Sequence, residues 1–243
     1  PNVSVKLGEV KLKRVQRCKH VGVTLCSENI TEKDIIAEKI GEGRAPLMAA
    51  RGLGSSAVPV PPAVLSKLYW CISVTRMMYG IEVKPINDKM LREFADAHRQ
   101  HAKIIQGLPS NIPSPAPLAT LGWVSIKSYV AIVRLCFLWR ILCLPNDNIY
   151  KRMVIHILRP LLHHTHDVKA QKRSPVANMY ALAQKYHLHD LIINGIGTND
   201  FGEITQMKKL IENVVNNNEH IRWRATCMLY RELSLYMETA TRI

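Results

Sequence analysis

Residues 87–107 read NDKMLREFADAHRQHAKIIQG, and the fold class turns on them. Met90, Leu91, Phe94, Ala97, Ile104 and Ile105 recur at the three- and four-residue spacing of one helix face, while Lys89, Arg92, Arg99 and Lys103 hold the other with few acids. His98 and His101 stand at the boundary between the two faces and read as packing residues. Gly107 is the stop signal, and GLPSNIPSPAP after it is a proline-rich connection. An amphipathic helix this clear needs apolar partners, and the flanking sequence offers them.

Upstream, a helix over about 63–81 is apolar nearly all round (Val64, Leu65, Leu68, Tyr69, Ile72, Val74, Met77, Met78, Tyr79), which places it inside a bundle. It is preceded by SSAVPVPPAV at 55–64, a loop whose prolines suit a helix start. Before that, ITEKDIIAEKIGEGRAPLMAARGL opens with a capping-box pattern in which Asn29 or Thr31 precedes Glu32 or Asp34. Gly41, Gly43 and Pro46 predict that this helix kinks or splits. Downstream come a short turn of helix at 115–121, Gly122-Trp123, a buried helix over 125–144, LPNDN, and a helix at 148–163. The run YVAIVRLCFLWRILCL at 129–144 falls short of the roughly 20 residues a bilayer needs and carries Arg134 and Arg140, so it reads as a buried helix and no membrane partner is expected.

Toward the N-terminus the period changes. Val3, Val5 and Leu7, then Val10 and Leu12, then Val21, Val23 and Leu25 alternate in the period of two, with Gly8-Glu9 as a turn. Past His163, HHTHDVKAQKRSP makes a polar, basic linker with a boundary near 165–175. Beyond it the pattern predicts more exposed helices at 174–186, 203–216 and 219–238, with INGIGTNDFG at 193–202 as a turn. The expected fold is therefore mainly α: a short N-terminal β-hairpin or sheet remnant at 1–28, a helical bundle at 29–165 and a smaller C-terminal helical region at 175–243.

The chain has 243 residues, 47% of them apolar, enough to bury a real core. Thirty-three Lys and Arg against nineteen Asp and Glu give a net charge of +14, which favours polyanionic partners, nucleic acid above all. The six cysteines contain no CxxC pair and read as reduced, mostly buried thiols, which points to an intracellular protein of nucleus or cytoplasm. The start PNVSVKLGEV has no initiator Met and no signal-peptide layout, so a piece of a longer protein is expected.

Chemistry-bearing patterns are sparse. His163, His164, His166 and Asp167, with His187, His189 and Asp190 downstream, could hold zinc, but neither spacing is the i, i+4 pair of a helical zinc site and linker histidines are the better reading. Cys18, His20 and Cys26 lack a fourth ligand, and strand alternation accounts for them. Trp70, Trp123, Trp139 and Trp223 read as core anchors rather than stacking platforms. No nucleophile–base arrangement and no complete dinucleotide glycine pattern occurs, so no catalytic residue and no metal site are assigned.

The order HVGVTL, kinked helix, LSKLYWCISVTRMMYGIEVKPI, then FADAHRQHAKIIQGLPSNIPSPAPLATLGWVSI resembles the C-terminal part of non-LTR (LINE-type) retrotransposon reverse transcriptases. In that family the palm ends in a strand reading roughly Tyr-Leu-Gly-Val, matched by His20, Val21, Gly22 and Val23. Tyr79, Gly80 and Glu82, then Gly107 to Pro109, then Leu121 to Trp123 match later segments of the helical thumb. The likeness covers about residues 15–145. His20 departs from the usual aromatic, and Gly41 and Gly43 depart by loosening the first thumb helix.

The resemblance implies that 1–28 is the β-rich end of a palm and 29–165 a thumb-like domain, within an RNA-directed DNA polymerase. It implies RNA and DNA as partners, as a hybrid or primer–template, together with the remainder of the polymerase polypeptide. The carboxylates that hold Mg²⁺ in that family lie upstream of the palm-end strand, so no cofactor is expected in this chain and it should be inactive alone. What remains is holding a duplex by its phosphates. The expected contacts are Lys11, Lys13, Arg14, Arg17 and Lys19 near the palm–thumb hinge, and Arg92, Arg99 and Lys103 on the amphipathic helix, a face that can equally be a plain solvated surface. The alternative is a free-standing helical module for nucleic-acid or protein interaction, a decayed or host-adopted retroelement remnant.

Overall fold

The computed structural model describes residues 6–11, 15, 17–20, 23–26, 32–53, 59–84, 87–113, 115–162, 174–230 and 233. The protein is mainly helical: α1 (Glu32–Gly52), α2 (Pro62–Leu68), α3 (Thr75–Met78), α4 (Asp88–Gln106), α5 (Pro115–Thr120), α6 (Ile126–Leu142), α7 (Ile149–Leu162), α8 (Pro175–Lys185), α9 (His189–Thr198) and α10 (Ile204–Cys227). Of the region expected to be a β-hairpin, residues 1–5, 12–14, 16, 21–22 and 27–28 lie outside the described residues. What is described there is local antiparallel backbone pairing of Lys6–Leu7 with Val10–Lys11 and of Arg17–His20 with Val23–Cys26, with no ladder joining the two pairs. The capping positions Asn29 and Thr31 and the linker at 163–173 also lie outside the described residues.

The first helix does not split. α1 is continuous through Pro46, and the physical reason lies in its packing. Ile36, Lys39, Gly43, Leu47 and Ala50 form one buried face, which lies against the continuous helical stretch from Pro62 to Met78. A Cβ at Gly43 would come within 2.9 Å of both Met77 Cβ and the Ser73 carbonyl oxygen, so the glycine lets two backbones approach. Burial against that partner outweighs the hydrogen bond that Pro46 cannot donate.

The partner stretch contains a π turn, Tyr69–Val74, between α2 and α3. A widened turn shifts the helical phase by one residue. The shift lets Leu65, Tyr69, Val74, Met77 and Met78 all reach the same core. Beyond Tyr79 the chain turns at Gly80 (φ 75°). Arg134 of α6, buried at 3% exposure, donates through Nε to the Ile81 carbonyl at 3.1 Å and through Nη2 to that of Lys84. The arginine inside the most apolar run is thus a clamp on a turn.

α4 begins and ends as its sequence directs. Asn87 caps it, its Oδ1 accepting from the Met90 amide at 2.8 Å. Gly107 closes it in the left-handed region (φ 64°), and the Leu108 amide donates to the Lys103 carbonyl at 2.9 Å. α6 is the shared element: Ile126 and Val130 join the first core, whereas Ala131, Leu135, Leu138, Trp139 and Leu142 join a second with Leu158, Met179, Ile192, Phe201, Ile211 and Val215. No helix among the described residues is long and apolar enough to cross a membrane.

Two further expectations are corrected in the second core. Residues 193–202 are not simply a turn, because α9 runs to Thr198 and only then does Asn199 (φ 59°) reverse the chain. Gly195 permits this: a Cβ there would meet the Phe201 ring at 2.5 Å. The helices expected at 203–216 and 219–238 are one, Ile204–Cys227, since the polar Asn216–Asn218 stretch carries no breaker and α6 supports it along one side.

Replacing Gly43 by alanine should destabilise the protein by about 1–3 kcal/mol, because the new methyl overpacks the α1–Met77 contact. Gly41 has nothing within 4 Å of a built Cβ, so Gly41→Ala should stabilise by roughly 0.5–1 kcal/mol through helix propensity alone. Chemical denaturation of the two variants beside the parent checks both; equal effects would show that the close approach at Gly43 is not real.

Candidate nucleic-acid interface

α4 carries the candidate site, and its sequence sets the geometry. Its buried side holds Met90, Phe94, Ala95, Ala97, His98, His101, Ala102 and Ile105, which fixes the rotation of the helix about its own axis. Arg92, Asp96, Arg99 and Lys103 then fall at i, i+4, i+7 and i+11, one stripe on the other side. At 1.5 Å per residue the stripe runs about 16 Å, long enough to face several phosphates of a duplex.

The structure brings Arg92, Arg99 and Lys103 together, and also shows how each is held. Arg92 is exposed, with Nε donating to the Asp88 carbonyl at 3.2 Å. Arg99 forms an ion pair with Asp96 one turn earlier. Lys103 Nζ donates to the Ser110 carbonyl at 2.6 Å, tying the helix end to its following loop. Guanidinium and ammonium groups have donors to spare, so these bonds orient the cations without using up their capacity for phosphate oxygens. Asp96 subtracts from the field of the stripe and was not part of the expected set.

Of the hinge residues, Lys11, Arg17 and Lys19 have described backbone only, and Lys13 and Arg14 lie outside the described residues. Of the expected contacts, only those of the α4 stripe have described side chains. Among the histidines considered for zinc, 163, 164 and 166 lie outside the described residues, and His189 lies 3.4 Å from Asp190. No group of three or more His, Cys, Asp or Glu that could hold a metal ion occurs among the described residues.

Behind the stripe lies a buried polar–aromatic cluster that holds α4 in place. Tyr69 stacks on Trp123 with centroids 4.5 Å apart, and His98 stacks on the same indole at 5.0 Å. The Val124 carbonyl sits 3.1 Å from His98 Nε2, which assigns the proton to that nitrogen and leaves Nδ1 to accept from the Tyr69 hydroxyl at 2.8 Å. His101 Nδ1 then donates to the Tyr69 oxygen at 3.4 Å. Trp123 Nε1 donates to Ser66 Oγ at 2.7 Å. The bonds at His98 Nδ1 and Nε2, His101 Nδ1 and the Tyr69 hydroxyl are all made with both histidines neutral. Burial lowers the pKa of His98 to about 4, and burial with Arg44 nearby lowers that of His101 to about 4. Burial also raises that of Tyr69.

The expected packing role of His98 and His101 holds, whereas their hydrogen-bond chain was invisible in the sequence, because Tyr69 and Val124 are 29 and 26 residues away from His98. Trp70, Trp123 and Trp139 are core anchors, with Trp139 Nε1 donating to the Phe201 carbonyl at 3.0 Å. Trp223 is half-buried and lines a cleft instead. Comparison of the chain with protein-family models, curated proteins and solved structures finds no match.

The two histidines predict an acid limit. Their folded values lie near 4, below the ordinary 6.5, so the unfolded chain binds protons first as pH falls. Stability should be full above pH 6.5 and decline between 6.5 and 4 by up to about 1.4 kcal/mol per pH unit for each histidine. Denaturation midpoints across that range measure it, and His101→Phe should flatten the decline.

Proposed function

We propose that this chain is the thumb and following helical region of a non-LTR (LINE-type) retrotransposon RNA-directed DNA polymerase, a part that holds primer–template nucleic acid by its backbone. In this reading the β-rich residues 1–28 are the end of the palm, and Lys11, Lys13, Arg14, Arg17 and Lys19 flank the nucleic-acid path where palm meets thumb. The observation that carries it is the α4 stripe. Arg92, Arg99 and Lys103 line one side of a helix whose opposite side is held by a buried, hydrogen-bonded aromatic cluster, so cations are presented on a rigid surface at little entropic cost.

Phosphate contacts of this kind position a duplex and carry little sequence information. The contribution is therefore to affinity and register, not to choice of template. Nucleotidyl transfer in the family uses two Mg²⁺ ions that stabilise the attacking and leaving oxygens. The residues present do not fit that requirement: the sequence contains no Asp-Asp pair, and Glu9 is the only acidic residue before Glu28. No chemical step is assigned to this chain. The second reading, a free-standing interaction module, is favoured by one observation, the exposed Ile149, Tyr150 and Met153 on α7.

An RNA–DNA hybrid should bind with an affinity that falls steeply with salt, each engaged cation adding about 0.9 to the log–log slope. The pair of changes Arg92→Ala and Lys103→Ala should lower the slope by about 1–2 without altering sequence preference. Filter binding at several salt concentrations measures this, and a flat salt response in the parent would overturn the reading. In the same preparation, primer extension on an RNA template with Mg²⁺ and dNTPs should be absent.

A further inference from the structure

Where α10 crosses the loop between α5 and α6, a cleft of about 320 Å³ opens. Trp123 contributes to its floor and Trp223 to one wall, with Asn216, Asn217, Glu219 and His220 as its polar groups. Asn216, Glu219, His220 and Trp223 fall at i, i+3, i+4 and i+7, so one face of α10 is turned into the cleft.

The aromatic walls are fixed. Tyr69 and His98 lie 4.5 and 5.0 Å from Trp123 and only 5.6 Å from each other, a triangle that puts both on one side of the indole. Trp70 meets the same indole edge-on at 5.7 Å, and Trp123, 8% exposed, contributes only its remaining surface to the cleft. Trp223 is held by its Nε1 donating to the Pro115 carbonyl at 3.3 Å, with the His220 ring nearly parallel to it at 12°. Glu219 accepts from Ser128 Oγ at 2.6 Å and pairs with Arg222, so its charge is balanced within the wall. The side-chain amides of Asn216 and Asn217 make no hydrogen bond among the described residues.

We propose that this cleft binds an adenine ring. Two indoles offer apolar surface to a flat heterocycle, and aromatic side chains hold bases by stacking. An asparagine amide presents an acceptor beside a donor, which matches the adjacent amino group and ring nitrogen of adenine in a bidentate pair. The volume sits at the low end for ligand pockets, roughly 300–1,000 Å³, which suits a nucleoside and not a large dinucleotide. The adenine can belong to free adenosine or to an unpaired base of a single strand. This inference is independent of duplex holding, since none of the α4 cations lines the cleft.

The test is equilibrium dialysis with adenosine, guanosine, cytidine and uridine, and with oligo(A) and oligo(U) strands, alongside tryptophan fluorescence. Adenosine should bind at least about tenfold tighter than uridine, as a bidentate amide contact discriminates between bases. The affinity should hardly change between roughly 50 and 300 mM salt, unlike phosphate-driven binding. Trp223→Leu should weaken it at least about tenfold through lost stacking. Asn217→Ala, at an exposed helix position, should do likewise with an unchanged melting curve. Binding of adenosine identifies a free nucleoside site; binding of oligo(A) without adenosine identifies an unpaired base of a strand. No binding of either, or binding untouched by Asn217→Ala, overturns the proposal. Because the salt responses differ, loss of this site and loss of hybrid binding are separately visible.

Discussion

The Tyr69 hydroxyl is the point on which the first core depends. It donates to His98 and accepts from His101, while its ring lies flat on Trp123. Three segments distant in sequence, the π turn, α4 and the loop before α6, are thereby tied through one buried side chain. A buried hydroxyl without partners costs on the order of 1–3 kcal/mol, so the arrangement is stable only when every member is in place. That makes the rotation of α4 a discrete choice. The cationic stripe on its far side inherits the precision of the cluster behind it.

α6 transmits order from this core to the second. Arg134 near its middle clamps the turn after α3, and Ser128 in its first turn reaches Glu219 of α10. A charged group 3% exposed would be unfavourable on its own, but two backbone carbonyls of the turn after α3 satisfy it. Burial lowers its pKa to about 10, with Glu82 opposing the shift, so the guanidinium stays charged at neutral pH. The same helix thus supplies apolar surface to both cores and polar links to the elements on either side. The cleft under α10 exists because Glu219 and Trp223 are pinned to α6 and α5, respectively, leaving space between.

The electrostatics are less one-sided than the net charge of +14 implies. Arg99 is paired with Asp96, Arg222 with Glu219, and Lys39 with Glu42. Exposed pairs such as the first add little stability, about 0–1 kcal/mol. Their effect is rather to fix the direction of a cation and dilute its field. Charge composition therefore pointed to a polyanionic partner, while the number of cations free to engage one was a matter of geometry.

What the sequence by itself determined was the helical class and the position of most helices. The signals are local: Asn87 and Gly107 bound α4, Pro62 starts α2, and the apolar spacing in 87–107 selects the buried face. It also marked the α4 cations as one surface, since positions i, i+7 and i+11 share a face in any helix. Tertiary structure alone decided the rest. Gly43 and Gly195 look like helix breakers in sequence, yet each is the place where a neighbour comes too close for a Cβ. The single α10, the Arg134 clamp, the histidine–tyrosine chain and the Trp123–Trp223 cleft all join residues tens of positions apart. No local periodicity encodes such pairings, because they depend on how helices cross, and that is fixed by volume and hydrogen-bond satisfaction in the assembled core.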